Sequence, residues 1–201
     1  MKTMKLFLAL ALTGVLTSAQ TTWKVDNVHS SVQFSIAHMV ISEIDGNFTV
    51  FSGTITNEKA DFSDAQLNFT IDVSSIDTRN AKRDGHLKSP DFFDVAKYPT
   101  ITFKSTSITK KDGKHFTVVG NFTMHGVTKV LTLNLFAAGT IKDNRGNFKS
   151  GFKITGNLKR SDYGLKYNSV MDSGGFVIGD EIELTIKLET VKLKNKIEYE
   201  K

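Results

Sequence analysis

The chain has 201 residues, a formal charge of +5, fifteen phenylalanines, two prolines and no cysteine. The absence of cysteine excludes disulfides, thiolate metal sites and a thiol nucleophile. A charge of this size, with the glutamates Glu189, Glu198 and Glu200 set among the C-terminal lysines, argues against a nucleic-acid surface.

Residues 1–19 read as a secretory signal peptide. Lys2 and Lys5 precede an apolar run from Leu6 to Leu16, and Thr17-Ser18-Ala19 supplies the small residues of a cleavage site. The run is about half of the roughly 20 residues a membrane-spanning helix needs. Cleavage after Ala19 would leave residues 20–201 as one domain, periplasmic or secreted, with no membrane span and a net charge of +3 once Lys2 and Lys5 are gone.

From there the chain alternates with period two, the mark of half-buried strands. Val32, Phe34 and Ile36 share one face; so do Leu67, Phe69, Ile71 and Val73. The segments 46–56 and 100–109 are less regular but rich in Thr, Ile and Phe. Phe116, Val118, Phe122 and Met124 have one parity, then Leu131, Leu133 and Leu135, then Phe148, Phe152, Ile154 and Leu158, then Ile182, Leu184, Ile186 and Leu188. Hairpin turns are signalled at Lys111-Asp112-Gly113-Lys114 and at Asp143-Asn144-Arg145-Gly146-Asn147. Short connections imply antiparallel pairing. An apolar face of this extent must be covered, and closing the sheet covers it while removing its edges. The fold class expected is all-β, a single antiparallel eight-stranded barrel.

One stretch, 77–98, breaks the rhythm. It reads as one or two short helices inserted between the third and fourth strands, with Ser89 capping the second and Pro90 in its first turn. Leu87, Phe92, Phe93 and Val95 would pack it on the barrel as a plug or lid.

No pattern announces catalysis. The five histidines form no metal-binding spacing, no serine sits in a Gly-x-Ser-x-Gly elbow, and Asp91 and Asp94 lack the aromatic platform of a sugar site. Catalytic, metal and cofactor sites are therefore expected to be absent. His38 continues the inward parity of Phe34 and Ile36, and serves either as a hydrogen-bonded core histidine or as a contact to a ligand head. Arg79 and Arg83, and Arg160 before Asp162, either make local ion pairs or hold an anionic group. An eight-stranded barrel stands at the size where side chains just fill the interior or leave room for one small ligand.

Several motifs resemble the YceI family of polyisoprenoid-binding, lipocalin-like proteins. They include Trp23-Lys24-Val25-Asp26, Val28-His29-Ser30-Ser31-Val32-Gln33-Phe34 continuing to His38-Met39, and Ser75-Ile76-Asp77-Thr78-Arg79-Asn80. The run from Arg83-Asp84-Gly85-His86-Leu87 through Pro90-Asp91-Phe92-Phe93 to Phe103 is the most specific; Met124-His125-Gly126 and Arg160-Ser161-Asp162-Tyr163-Gly164 follow. Pro90, Tyr167-Asn168 and the residues after Leu193 depart from the family pattern.

The resemblance implies a barrel holding an isoprenoid, fatty-acid-like or other amphiphilic lipid along its axis, as carrier or sequestering protein, with a homodimer possible. The interior residues expected to meet the lipid are Phe34, Ile36, His38, Met39, Phe48, Phe69, Ile71, Phe103, Phe122, Met124, Leu133, Phe152, Ile154 and Tyr163, with Arg79, His86, Leu87, Phe92 and Phe93 from the insert. The alternatives are an enzyme acting on such a lipid through His38, His86 or Arg79, and a solidly packed, stress-related partner protein.

Overall fold

A computed structural model describes residues 20–172 and 174–194; the proposed signal peptide lies outside them. Eleven strands form one antiparallel sheet: β1 (Thr21–Val25), β2 (Ser31–His38), β3 (Ser42–Phe48), β4 (Phe51–Asn57), β5 (Gln66–Asp72), β6 (Ile76–Asp77), β7 (Thr100–Asp112), β8 (His115–Met124), β9 (Val127–Lys142), β10 (Phe148–Lys159) and β11 (Ile178–Lys192). A single α-helix, α1, spans Ala81–Lys88.

Eleven strands make eight staves. β1 and β2 run in succession along the same flank of β11, Trp23–Val25 against Lys192–Thr190 and Ser31–His38 against Lys187–Ile178. A 3-10 turn at Asn27–His29, whose first N–H groups Asp26 caps, is the joint between them. β3 and β4 likewise succeed each other, pairing β2 and β1 respectively. The expected strand over 46–56 is thus two strands, parted at Thr49 and Val50, whose backbones are held by Ser75 and Asp72. The order β1-β4-β5-β7-β8-β9-β10-β11 returns to β1 and closes the barrel.

Closure is complete at one end only. Toward the other, β2 pairs β11 and β3 pairs β2, and β6 adds only two pairs to β3. No strand bridges β6 to β7. The gap is filled by α1 and the turns that follow it, which drive Phe92 and Phe93 into the core.

Those turns correct the expected second helix. Ser89 ends α1: its N–H and Oγ–H donate to the His86 carbonyl, and the N–H groups of Phe92 and Asp94 then close on the Ser89 carbonyl in turns. Proline at 90 terminates here because the residue before it is pushed out of helical conformation. Arg79 is not on the helix either; Asn80 is its N-cap, and Arg79 sits at φ 61°.

The alternation read from the sequence is what builds the core. Phe116, Val118, Phe122 and Met124 of β8 face Leu131, Leu133 and Leu135 of β9, all buried. Gly120 keeps that inward parity open: a Cβ there would stand 2.5 Å from the Lys104 carbonyl oxygen and 2.6 Å from the Phe103 ring. At the closed end two polar side chains are paired within the wall. Trp23 Nε1 donates to Asn57 Oδ1 at 2.7 Å, and the fully buried Thr190 donates to the Ser150 carbonyl at 3.0 Å. Phe148, at the end of β10 beyond this base, is exposed under Lys142 and Lys192 despite its parity.

Candidate functional site

The flared end opens into a cavity of about 320 Å³. Its walls come from β2, β3, the first turns of β11, α1, the Phe92–Phe93 turn and the segment 165–177. Below it, two narrower voids of about 60 and 30 Å³ follow the barrel axis. Phe34, Phe93 and Ile182 are shared by the first and second; Ile71, Ile101, Phe122, Leu184 and Ile186 are shared by the second and third. The interior is hollow at the mouth and tapers to a packed base.

β11 supplies the open face of this axis. Ile178, Ile182, Leu184 and Ile186 are only partly buried, packed against the core on one side and lining the voids on the other. Phe34 forms the step between mouth and shaft. Its ring lies over Gly46 of the paired strand, in the space where a Cβ at residue 46 would sit.

The mouth is polar at its rim. Arg83 donates from Nε to Thr78 Oγ1 and from Nη2 to the Thr78 carbonyl, both at 2.8 Å. Thr78 in turn is held by Asp84, which accepts from its N–H and hydroxyl. Arg160, at the end of β10, donates from Nε to Gly179 O at 2.8 Å and from Nη1 to Leu165 O and Tyr167 O at 2.7 and 2.9 Å. Burial draws the Arg160 guanidinium below its ordinary range, with Asp180 partly opposing this. His86 pairs Asp91 at 3.1 Å and meets Phe92 and Tyr167 edge-on. The His38 ring lines the cavity with no hydrogen-bond partner among the described residues.

The residues expected from sequence divide by depth. Phe34, Ile36, His38, His86, Leu87, Phe92 and Phe93 gather around the mouth. Phe48, Phe69, Ile71, Phe103, Phe122, Met124, Leu133 and Ile154 line the two lower voids. Four stand elsewhere. Met39 has passed the end of β2 into an exposed turn at φ 53°. Arg79 faces a polar hollow on the outside of the sheet, with Asp45 and Glu183, because its left-handed backbone turns it off the helix. Phe152 is buried near the base, edge-on to Phe62 at 5.0 Å. Tyr163 packs its ring on Phe122, and its carbonyl bonds the His125 ring.

Sequence reasoning marked Tyr167 and Asn168 as departures from the family pattern that could reshape the mouth, and missed the rest of the segment that completes the wall. Leu165, Tyr167, Ser169 and Val177 follow a 3-10 turn at Arg160–Tyr163 and have no period that marks them. Asn168 anchors the segment, donating to Ile178 O at 2.7 Å and accepting from Ile178 N at 3.0 Å. For the rest, a stretch without regularity between two strong strands was the available signal.

Among known proteins, the chain matches the YceI-like domain over residues 23–190. It is 36% identical to a UPF0312 protein of Pectobacterium carotovorum over 185 residues, 92% of this chain and 93% of that one. It is 37% identical to Protein YceI of Salmonella newport over 182 residues, 90% and 92% of the two. Among solved structures, Burkholderia cenocepacia BcnA superposes with a TM-score of 0.72 at 24% identity, covering 82% of this chain and 98% of that one. A Campylobacter jejuni YCEI protein gives 0.67 at 28%, covering 95% and 100%. A polyisoprenoid binding domain from Saccharophagus degradans gives 0.65 at 18%, covering 85% and 98%. With a family match across most of its length and relatives above one-third identity on the same strands, the chain belongs to the YceI-like family.

Proposed function

We propose that this protein binds an amphiphilic lipid, its chain entering the barrel axis from the flared end and its head resting at the polar mouth, and that it serves to carry or sequester that lipid after export. One observation carries the reading: an apolar hollow of about 320 Å³ opens at one end of a barrel whose other end is sealed. The polyisoprenoid binding domain of similar fold supports the same class of ligand.

Magnitudes favour a ligand with both parts. A chain of roughly a dozen methylenes gains on the order of 10 kcal/mol at ~0.8 kcal/mol each. Association and ordering cost about 4–15 kcal/mol. The tail alone therefore leaves little surplus, and a charge-assisted contact at the mouth, about 1.5–3 kcal/mol, makes the difference between loose and useful binding.

Native mass spectrometry of protein purified from its own host should show a lipid adduct, lost in organic solvent. Ile182→Trp, which fills the throat, should abolish the adduct while leaving the melting temperature within a few degrees. Wild-type protein that is empty, and that takes up neither fatty acids nor isoprenoids offered to it, would overturn the reading.

A further inference from the structure

The mouth cavity has four basic residues in its wall, Arg83, Arg160, His38 and His86, and no aspartate or glutamate. Arg160 is 5% exposed and touches no carboxylate. Three neutral carbonyls occupy Nε and Nη1, while Nη2 has no partner among the described residues. The nearest acid, Asp180, spends both oxygens on Ser161 at 3.0 and 2.7 Å. Arg83, half-exposed, is also held by neutral groups: the Thr78 hydroxyl and carbonyl take Nε and Nη2, Nη1 has no partner among the described residues, and Asp84 bonds Thr78. Carbonyls orient a buried guanidinium without cancelling its charge, so the mouth presents two fixed cations with donors to spare.

Size sets the second condition. A cavity of about 150 Å³ admits one benzene ring, so 320 Å³ offers room for roughly a dozen carbon atoms. The voids beneath, about 60 and 30 Å³, add room for a few more past Phe34, Phe93 and Phe122. A long polyisoprenoid enters only if those rings swing away.

Resting on the lipid-binding reading, we propose that the ligand is a single-chain anionic amphiphile of about ten to sixteen carbons, its carboxylate or phosphate held by Arg160 and Arg83 and its tail ending among Phe34, Phe93 and Phe122. Both the sign of the head and the length of the tail follow from the walls.

The test is competition for the delipidated full-length protein at pH 8, using dodecanoate, dodecanol, inorganic phosphate and a series of longer saturated acids. Dodecanoate should bind at least about tenfold tighter than dodecanol, the worth of one charge-assisted hydrogen bond. That preference should fall to within about twofold in Arg83→Gln, with the melting temperature of the variant recorded alongside. Affinity should peak between dodecanoate and hexadecanoate and decline by tetracosanoate. Equal binding of the acid and the alcohol by wild-type protein would refute the anionic head and leave lipid binding intact. Affinity still climbing at tetracosanoate would refute the length limit. Competition by phosphate alone at the affinity of dodecanoate would make this a small-anion site and overturn the proposal. Failure of every chain to bind would remove the lipid reading itself.

Discussion

The two ends of the barrel are made from the same staves and differ in how they are finished. At the base, β1 bridges β4 and β11, and Ile55, Leu67, Phe116 and Val118 are buried to 2% exposure or less. At the mouth the corresponding staves, β2 and β3, begin beyond the joint at Asn27–His29, and a helix with its turns stands where strand pairing between β6 and β7 is missing among the described residues. Regular pairing buys stability below, while above it Ile36, Ile178 and Ile182 remain half-buried and reachable. The lesson is that a barrel can keep a rigid seal and an accessible hollow together by breaking two of its strands.

That contrast can be broken most severely at the base. Phe116→Ala should cost about 3–5 kcal/mol in urea unfolding, whereas Ile182→Ala at the throat should cost less than about 1.5. Comparable losses at both positions would mean that the mouth is packed as tightly as the base. A smaller effect, about 2 kcal/mol, is expected of Gly120→Ala, because the new methyl meets the unyielding Lys104 carbonyl as well as the Phe103 ring.

At the flared end the sign reverses. Val40, 82% exposed, sits at φ 65° in the turn between β2 and β3, where a β-branched residue is strained. Val40→Asn should raise stability by about 1 kcal/mol, read as an increased melting temperature; no gain would show the turn to be relaxed as it stands.

The smallest effect concerns acid. Burial pushes the Asp180 carboxyl up, but the Ser161 hydroxyl and N–H, with the Arg160 charge, outweigh it and hold the group below its ordinary 3.8. A depressed carboxyl contributes stability above its unfolded value and loses it as pH falls through the folded value. Ser161→Ala should therefore melt lower than wild type at pH 7, and the two curves should converge below about pH 4.

Alternation made β2, β5, β8, β9, β10 and β11 legible from sequence, since one buried face enforces a strict parity of apolar side chains. β1 was not legible as a strand: five residues holding only Trp23 and Val25 inward are too short for a pattern. The break at Thr49–Val50 was hidden because both halves are rich in the same residue types. Arg83 and Arg160 could be named as candidates, but whether an arginine meets a carboxylate or a carbonyl is decided by a fold partner distant in sequence, as Gly179 is for Arg160. Leu165 and Tyr167 join the wall through tertiary anchoring alone.

The chain enters and leaves the sealed end side by side, Leu193 N–H donating to Thr22 O at 2.8 Å. Thr22 and Leu193 therefore lie together at the pole opposite the opening. An immobilising tag joined at Gln20 or at Lys194 would leave the opening facing solution, and a short peptide joining those two positions would allow new termini to be cut elsewhere in a permuted barrel.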